Sequence, residues 1–435
     1  MPDVSPSFGV IRAVPDGYDM AKSQLMGRQA AGHGFLRAAV AARGDCRIRG
    51  YAVSEASANR FKAMVAELDP SAAFEWIAPL QLARVRESGT LYLADATVAS
   101  HARLRQRSGL AAFSLCGVTH TIASPGAMDE ITNLLREPVA PWDALICTST
   151  AVVEAVRRIH EAEADYLRWR FGPQTRISGP QLPLIPLGVH CDDFDFDADA
   201  RARARSDLGI AEDEVVALFV GRLVFHAKAH PFPMFRALQL AAERTGKRVA
   251  LVLSGWAPNA AVENAFRSGA AQFAPDVRLI LVEGRDAGAR PKTWAAADIF
   301  VSLSDNIQET FGLTPIEAMA AALPVVVTDW DGYRDTVRHA VDGFRLPVWA
   351  PAAGSGAALA AGMEASVINY DHYCWSAAAA TAVEIEPVAE ALSVLVADPG
   401  LRRTMGLSGR ARARERFDWA VVFRQYQALW IELDA

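Results

Sequence analysis

Residues 297–329, ADIFVSLSDNIQETFGLTPIEAMAAALPVVVTD, contain two apolar runs separated by a helix-like segment. The outer runs, ADIFVSLS and LPVVVTD, are continuously apolar, which is typical of strands buried on both faces of a parallel sheet. The segment between them has the composition and spacing of a helix that extends to Ala322. The whole stretch is therefore predicted to be one strand–helix–strand unit of an α/β sheet.

Similar apolar runs recur along the chain, and each is followed by a helix-like segment. They are FGVIR (from Phe8), RIRGYAV (from Arg47), LYLADA (from Leu91), AAFSLCGVTH (from Ala111), DALICTS (from Asp143), PLIPLGV (from Pro183), VVALFVG (from Val215), RVALVLSG (from Arg248) and VRLILVE (from Val277). This alternation of strand-like and helix-like segments predicts α/β architecture with two Rossmann-like, doubly wound domains. Ligands of such sheets bind at the carboxyl ends of the strands, and we expect these edges to face a shared cleft.

The boundary between the two domains is predicted from a change in composition. The run DDFDFDADARARARSD, residues 192–207, is read as a charged, exposed connector between two series of strands. The N-terminal domain is accordingly assigned to residues 1–205 and the C-terminal domain to residues 206–417.

Bulk composition narrows the classes of function. The 435 residues carry 44 Lys and Arg against 50 Asp and Glu, and the net charge of −6 argues against a nucleic-acid partner. The five cysteines show no C-x-x-C spacing, so neither disulfides nor a metal centre are predicted, and a reducing cytoplasm fits best. The N-terminus lacks the apolar core of a signal peptide, and no window suits a membrane span.

Three segments each have two interpretations. The basic runs 157–170 and 402–416 would make weak peripheral contact with an anionic membrane, or they are exposed helix faces of mixed charge. The segment 351–380, rich in Ala and Gly and then in aromatic residues, is either a lid over the site or a surface insertion.

Candidate binding groups lie inside the opening stretch. Glu309 follows the first strand and Glu317 lies about one turn into the helix, so both carboxylates are expected at one strand end. The turn between them offers the backbone N–H groups of Phe311, Gly312 and Leu313. Together these groups would bind sugar hydroxyls, a diphosphate and ribose hydroxyls. The alternative is a helix capped by Thr310, with Glu317 merely solvated.

A second candidate element follows the strand VVALFV. The sequence GRLVFHAK, residues 221–228, places Arg222 and Lys228 in the loop after the first strand of the second domain. These two cations would neutralise a diphosphate, the arginine by bidentate contact and the lysine as a point charge.

These elements together resemble the retaining glycosyltransferases of family 4, the glycogen synthase and sucrose synthase relatives with the GT-B fold. The matching segments are GRLVFHAK (221–228), the E-x7-E segment ETFGLTPIE (309–317), AALPVVVTDWDGYRDTV (321–337), PLIPLGVHCDDF (183–194) and MGLSGRARARERFDWAVVFRQYQALW (405–430). The resemblance is weaker over the first 140 residues. It implies that the last helix, residues 418–435, crosses back to the N-terminal domain.

The resemblance also implies roles for individual residues. Arg222 and Lys228 would bind the donor diphosphate, Glu309 the transferred sugar, and Glu317 the ribose. Thr310, Phe311, Gly312 and Leu313 would line the donor, and His120 would lie beside the donor sugar. The segment from Gly27, which includes Arg28, Gly32 and Gly34, resembles the glycine-containing loop near the diphosphate and acceptor.

The implied reaction is transfer of a sugar, with retention, from a nucleoside-diphosphate sugar to a glycan, a lipid-linked glycan or a small-molecule acceptor. No metal or other cofactor is implied. Two departures from the family pattern stand out: Lys228 lies one residue beyond the usual spacing, and Asp331-Gly332 replaces a Gly-Gly pair.

Other classes of function compete with this one. A GT-B-fold epimerase needs further carboxylates, and a phosphorylase needs a pyridoxal phosphate lysine; neither has a clear signal. A dinucleotide-binding dehydrogenase is disfavoured because no G-x-G-x-x-G follows the first strand. A non-catalytic sugar-nucleotide-binding subunit remains open.

Overall fold

The computed structural model describes residues 8–20, 27–286 and 288–434. It divides into two compact units, the first formed by Met1–Gly188 with Phe417–Ala435 and the second by Val189–Arg416. Each unit contains a six-stranded sheet. The strands pair in parallel throughout both sheets, which confirms the predicted pair of doubly wound α/β domains.

The sheet of the first unit has the strand order β3-β2-β1-β4-β5-β6. Its strands are β1 (Val10–Arg12), β2 (Ile48–Tyr51), β3 (Phe74–Ile77), β4 (Thr90–Tyr92), β5 (Ser114–Val118) and β6 (Ala144–Ile146). Its helices are α1 (Gly27–Ala42), α2 (Glu55–Leu68), α3 (Val98–Arg105), α4 (Pro125–Asn133) and α5 (Thr150–Phe171). Strand order reverses between β1 and β4, which places the switch point of this sheet there.

A charged pair lies inside the first unit. Arg105 and Asp143 are fully buried, and their side chains form two hydrogen bonds of 2.6 and 2.9 Å. Asp143 also accepts from the backbone N–H groups of Leu115 and Ala140, both at 2.8 Å. These hydrogen bonds offset part of the cost of burying both charges, and they fix β5 relative to the turn before β6.

The sheet of the second unit has the order β12-β11-β10-β7-β8-β9. Its strands are β7 (Val215–Val220), β8 (Val249–Gly255), β9 (Val277–Glu283), β10 (Ile299–Ser302), β11 (Val325–Thr328) and β12 (Gly343–Leu346). A separate antiparallel pair is formed by β13 (Val348–Trp349) and β14 (Ala382–Val383). Its helices are α6 (Ala198–Asp207), α7 (Phe232–Thr245), α8 (Ala260–Phe273), α9 (Arg290–Ala296), α10 (Leu313–Ala320), α11 (Tyr333–Thr336), α12 (Ala357–Glu364), α13 (Tyr370–Ala379), α14 (Ile385–Ala397) and α15 (Pro399–Arg412).

The final helix, α16 (Trp419–Asp434), belongs to the first unit. Its apolar face is buried, and Phe35 of α1 packs against the rings of Trp419, Phe423, Tyr426 and Trp430. Ser114 of β5 donates to the carbonyl of Leu433 at 2.5 Å. The expected return of the last helix to the N-terminal domain is therefore confirmed.

The charged run at residues 192–207 is mostly exposed, as expected, but it lies inside the second unit and does not connect the two units. Its second half forms α6, where Arg201 and Arg205 bind the Asp298 carboxylate at 2.7 and 3.2 Å. Asp298 also accepts from the backbone N–H of Val216 at 2.9 Å. Because these contacts fasten α6 to the second sheet, the second unit begins before residue 206, at Val189.

Two further differences from the sequence prediction concern strands. PLIPLGV, residues 183–189, forms only isolated bridges, such as that between Leu184 and Cys147, because its two prolines lack an N–H donor. The edge strands β3 and β12 were not predicted. Within the described ranges, no helix combines the length and the hydrophobicity that crossing a membrane requires.

Candidate functional site

The switch point of the second sheet lies between β7 and β10, which are hydrogen-bonded neighbours. The chain runs from β7 into the GRLVFHAK loop and from β10 into the loop that carries Glu309. Asn306 of the second loop donates a hydrogen bond to the carbonyl of His226 in the first. The two segments singled out in the sequence are therefore adjacent at the edge where doubly wound sheets bind ligands.

Lys228 and Glu309 form the centre of this site. The Lys228 Nζ lies 3.4 Å from the Glu309 Oε2, and the two side chains are 38% and 14% exposed. The extra residue before Lys228 therefore does not prevent its ammonium group from reaching the loop after β10. The pair places one cation and one mostly buried carboxylate side by side. The cation is suited to bind an anionic group, and the carboxylate is suited to bind a hydroxyl-rich group covalently linked to it.

Helix α10 begins immediately beyond Glu309. Its N-cap residue is Gly312, with φ of +93°, rather than Thr310. The N–H groups in the first turn of a helix have no intrahelical partner and carry the positive end of the helix dipole. This turn is a suitable binding position for phosphate oxygens.

Close packing holds the turn before α10. A Cβ added to Gly312 would lie 2.3 Å from the ring of Tyr333, and one added to Gly332 would lie 2.4 Å from the Cα of Phe311. Tyr333 is itself fixed by a 2.8 Å hydrogen bond between its hydroxyl and Ser302. Burial, and then the negative charge of Glu309, raises the pKa of Tyr333, which agrees with a carboxylate close to this ring.

Arg222 lies in the same loop as Lys228, and its side chain is partly buried. Among the described residues, its guanidinium has no hydrogen-bond or ion-pair partner. Burial lowers the pKa of Arg222 and outweighs the opposing effects of Asp371 and Tyr370 on α13. An arginine buried without a bonded anion is poised to bind one.

Glu317 lies one turn into α10, as the sequence predicted. Both of its carboxylate oxygens accept from Arg290 of α9, at 2.8 and 2.9 Å. Glu317 is therefore held by a cation that sequence reasoning missed, because Arg290 belongs to an element 27 residues earlier. The ion pair fixes the carboxylate at the start of α10 and leaves it lone pairs for ligand hydroxyls.

Asp331, which stands where the family pattern has the first glycine of a Gly-Gly pair, is a further acidic group near the site. It adopts φ of +44°, a conformation that glycine takes without strain, and it directly precedes Gly332. Burial, followed by repulsion from Glu309, raises the pKa of Asp331 to about 7. Its carboxyl group has no hydrogen-bond partner within the described ranges, so it adds a titratable group beside Glu309.

We expect Asp331→Asn to stabilise the protein at pH 8 by about 1 kcal/mol or more, since one pKa unit corresponds to about 1.4 kcal/mol. The pKa of this carboxyl is higher in the folded than in the unfolded state, so wild-type stability falls as pH rises from about 4 to about 7. Asparagine lacks this charge and tolerates positive φ. Thermal melts at pH 5 and pH 8 should show the larger gain at pH 8.

The exposed Asp45 supplies a control for this experiment, since Asp45→Asn removes a carboxylate that already lies in water. Burial also raises the pKa of Asp305 to about 7. Because Asp305 is present in all the variants, its contribution to the pH dependence of stability cancels when they are compared. An equal gain at both pH values would contradict the assignment.

The remaining predicted site residues belong to the first unit. His120 follows β5, and its Nε2 donates to the carbonyl of Ala94, at 2.9 Å, beyond β4. Burial lowers the pKa of His120 and outweighs the hydrogen bond to Ala94 and the charge of Asp95, which both act to raise it. The imidazole is therefore neutral at pH 7, with Nδ1 left as an acceptor.

The glycine-containing segment 27–34 is not a loop but the first half of α1. A Cβ on Gly32 would lie 2.0 Å from the carbonyl of Gly17, and one on Gly34 would lie 2.4 Å from the Nε1 of Trp419. These glycines permit close packing of α1 on the turn after β1 and on α16. Arg28, in the first turn of α1, forms an exposed ion pair with Asp16 at 3.3 Å.

Comparison with known proteins gives a family match in the second unit. Residues 200–357 match the family model described as glycosyl transferases group 1. The alpha-maltose-1-phosphate synthase of Mycobacterium tuberculosis is 29% identical over 224 residues, covering 51% of this chain and 48% of the synthase. The chain thus spans about half the length of the curated relatives it matches.

Solved structures resemble the chain over nearly its whole length. Anabaena HepE, solved in complex with UDP, has a TM-score of 0.60 and 16% identity, covering 96% of this chain and 98% of HepE. Sucrose-phosphate synthase of Thermosynechococcus elongatus has a TM-score of 0.57 and 17% identity, with 98% of both chains covered. The chain has the GT-B fold, and the part of it that carries Arg222, Lys228, Glu309 and Glu317 is similar to glycosyl transferases group 1.

Proposed function

We propose that the chain is a glycosyltransferase that moves a sugar, with retention of configuration, from a nucleoside-diphosphate sugar to an acceptor nucleophile. The observation that carries this proposal is the Lys228–Glu309 pair, 3.4 Å apart, beside the N-terminus of α10 at the switch point of the sheet. A diphosphate and a sugar are covalently linked in the donor, and this arrangement offers adjacent partners for both.

The proposed mechanism is mainly electrostatic. Departure of the nucleoside diphosphate builds negative charge, which Arg222, Lys228 and the first-turn amides of α10 would offset without rearrangement. Glu309 would accept from hydroxyls of the transferred sugar, and Glu317, oriented by Arg290, would accept from the ribose. The family resemblance further suggests front-face attack, with the leaving phosphate taking the proton of the acceptor and no metal participating.

UDP is the first nucleotide to test, because HepE was solved in complex with it and shares this fold. The acceptor belongs to the hydroxyl-bearing compounds, either a glycan, a lipid-linked glycan or a small molecule. By the family resemblance, His120 is proposed to contact the donor sugar.

A sugar-nucleotide binder without turnover is the second candidate. The observation that favours it is the coverage, since only residues 200–357 match the glycosyltransferase family model, and these lie in the second unit. The two candidates share the donor site and differ in whether nucleotide is released in the presence of acceptors.

We expect one nucleotide among UDP, GDP, ADP and dTDP, each with and without magnesium, to raise the melting temperature of the wild type. A ligand present at a hundred times its Kd stabilises the folded state by about 2.7 kcal/mol. Arg222→Ala should abolish this shift, because it removes a partly buried cation from the diphosphate position. Differential scanning fluorimetry measures both effects.

Arg267→Ala is the matched control, since it removes an exposed arginine from α8 whose ion-pair partner among the described residues is Glu263, at 2.8 Å. The control should keep the full nucleotide shift. The donor site is wrongly assigned if no nucleotide shifts the folded wild type, or if Arg222→Ala melts with the same shift as the wild type. A shift without nucleotide release from any donor would favour the non-catalytic binder.

A further inference from the structure

The segment 351–380 folds onto the candidate donor loop. Its second helix, α13, is capped at its start by the Asn369 side chain, which accepts from the backbone N–H of His372 at 2.9 Å. The His226 Nε2 lies 3.5 Å from the Asp371 Oδ1, and the Gln308 Nε2 lies 3.5 Å from the Sγ of the buried Cys374. Helix α13 therefore contacts both loops of the site, next to Lys228 and Glu309.

A cavity of about 550 Å³, widely open to solvent, lies between α13 and the loop after β7. Its lining consists of aromatic rings, imidazoles and one carboxylate, from Phe225, His226, His230, Asp371, His372 and Trp375. The volume lies within the range of small-molecule pockets. All of these residues belong to the second unit.

The two walls of the cavity are held in different ways. Phe225 packs on Phe266 of the core, with ring centroids 5.0 Å apart, so this wall is rigid. Trp375 is 50% exposed and meets only the edge of His372 within the ring contacts of the described residues, at 5.9 Å. An indole left half in water has a large apolar face available for a ligand.

The chemistry of the lining selects the occupant. A sugar ring has an apolar C–H face that stacks on an aromatic plane and a rim of hydroxyls that needs donors and acceptors. Trp375 and Phe225 supply the planes, while Asp371 and the imidazoles supply the acceptors and donors. The Asp371 carboxylate disfavours an anionic group, so a phosphate belongs to Arg222 and Lys228 instead.

A metal ion is a poorer occupant of the cavity. Within residues 8–20, 27–286 and 288–434, no three His, Cys, Asp or Glu side chains are grouped as metal ligands would be. The histidines of the lining therefore form no such group with Asp371.

We infer that this cavity is a saccharide subsite, in which Trp375 and Asp371 of α13 hold a neutral sugar unit of the acceptor beside the donor loop. The identification of this sugar unit as part of the acceptor rests on the proposed transferase function. Saccharide binding at the cavity does not itself require turnover. It assigns segment 351–380 to substrate binding and identifies the acceptor as a glycan or glycoside.

The test measures saccharide binding directly. Wild-type protein, with and without UDP, is passed over immobilised oligosaccharides that end in glucose, mannose, galactose or N-acetylglucosamine. We expect retention on at least one of them, a loss of at least about tenfold in Trp375→Ala, and partial recovery in Trp375→Phe, which restores an aromatic plane. Trp169→Ala, which removes a 79% exposed tryptophan of α5, is the matched control and should bind as the wild type does.

The outcomes separate this inference from the proposed function. Loss of saccharide retention in Trp375→Ala, with its UDP-induced melting shift unchanged, supports the subsite. The same loss without any nucleotide shift in the wild type supports the subsite and contradicts the transferase proposal. No retention by the wild type, or equal retention by Trp375→Ala, overturns the subsite. Loss of the UDP shift in Trp375→Ala also overturns it, since the cavity would then hold the nucleobase.

Discussion

Glu309→Gln lowers the rate of nucleoside diphosphate release from the donor at least about tenfold, which corresponds to about 1.4 kcal/mol of transition-state stabilisation. The Glu309 carboxylate is mostly buried beside Lys228 and within reach of Tyr333. Glutamine has nearly the same shape but a neutral amide, and so it loses the charge that strengthens hydrogen bonds from sugar hydroxyls. The measurement is single-turnover release with the donor whose nucleotide shifts the melting temperature.

The same variant should bind the free nucleotide almost as the wild type does. A nucleoside diphosphate lacks the sugar that Glu309 contacts, so its thermal shift should survive in Glu309→Gln and disappear in Arg222→Ala. This contrast assigns the carboxylate to the sugar and the guanidinium to the diphosphate. Release at the wild-type rate would remove Glu309 from the site.

Glu263→Gln provides the control for the loss of a paired carboxylate. Glu263 accepts from Arg267 on the surface of α8, in the same unit as Glu309, with 44% of its side chain exposed. Exposed ion pairs of this kind contribute little to stability, so the control should melt and turn over like the wild type. A slow control would mean that unfolding rather than site chemistry explains both variants.

The sheets were predictable from the sequence because a buried parallel strand needs apolar residues on both faces. β7 and β11 show this pattern as VVALFV and VVVT, and both are almost wholly buried. The edge strands β3 and β12 are only partly buried, and their runs FEWI and GFRL contain charged residues. The charged residues in these two runs interrupt the apolar pattern by which the other strands were recognised.

Charge patterns in the sequence do not predict which charged side chains form ion pairs within the fold. The Arg-rich run before residue 206 has the composition of a solvated connector, but Arg201 and Arg205 are paired with Asp298, about 90 residues later in the chain. Composition reports what a segment contains and not what it meets. For the same reason, the sequence did not predict that Arg290 pairs with Glu317 or that Asp371 lies beside His226.

The candidate donor site was predicted in more detail than its surroundings. Glu309, Lys228 and the turn at Gly312 follow strands that are neighbours in the sheet, so local patterns on two segments determine their proximity. The position of α13 depends instead on long-range contacts such as that between Gln308 and Cys374. No periodicity in residues 351–380 indicates such a partner, and both interpretations of this segment were left open for that reason.

Gly312→Ala is expected to destabilise the protein by about 2 to 4 kcal/mol and to abolish the nucleotide shift. The backbone at Gly312 has φ of +93°, which costs an alanine about 1 kcal/mol or more. The new methyl group would also lie 2.3 Å from the Tyr333 ring, and such overpacking costs a further 1 to 3 kcal/mol or so. Relief of the clash must displace either the turn that begins α10 or the ring beside Glu309.

Gly246→Ala separates the two contributions. Gly246 ends α7 with φ of +62°, and an added Cβ would meet nothing within 4 Å. This variant should lose about 1 kcal/mol from the backbone alone and keep the nucleotide shift. Chemical denaturation of both variants, together with their nucleotide-induced melting shifts, makes the comparison. If Gly312→Ala lost no more stability than Gly246→Ala and still bound nucleotide, the turn would tolerate a side chain, and the close packing of Gly312 on Tyr333 would not be what positions the amides of α10.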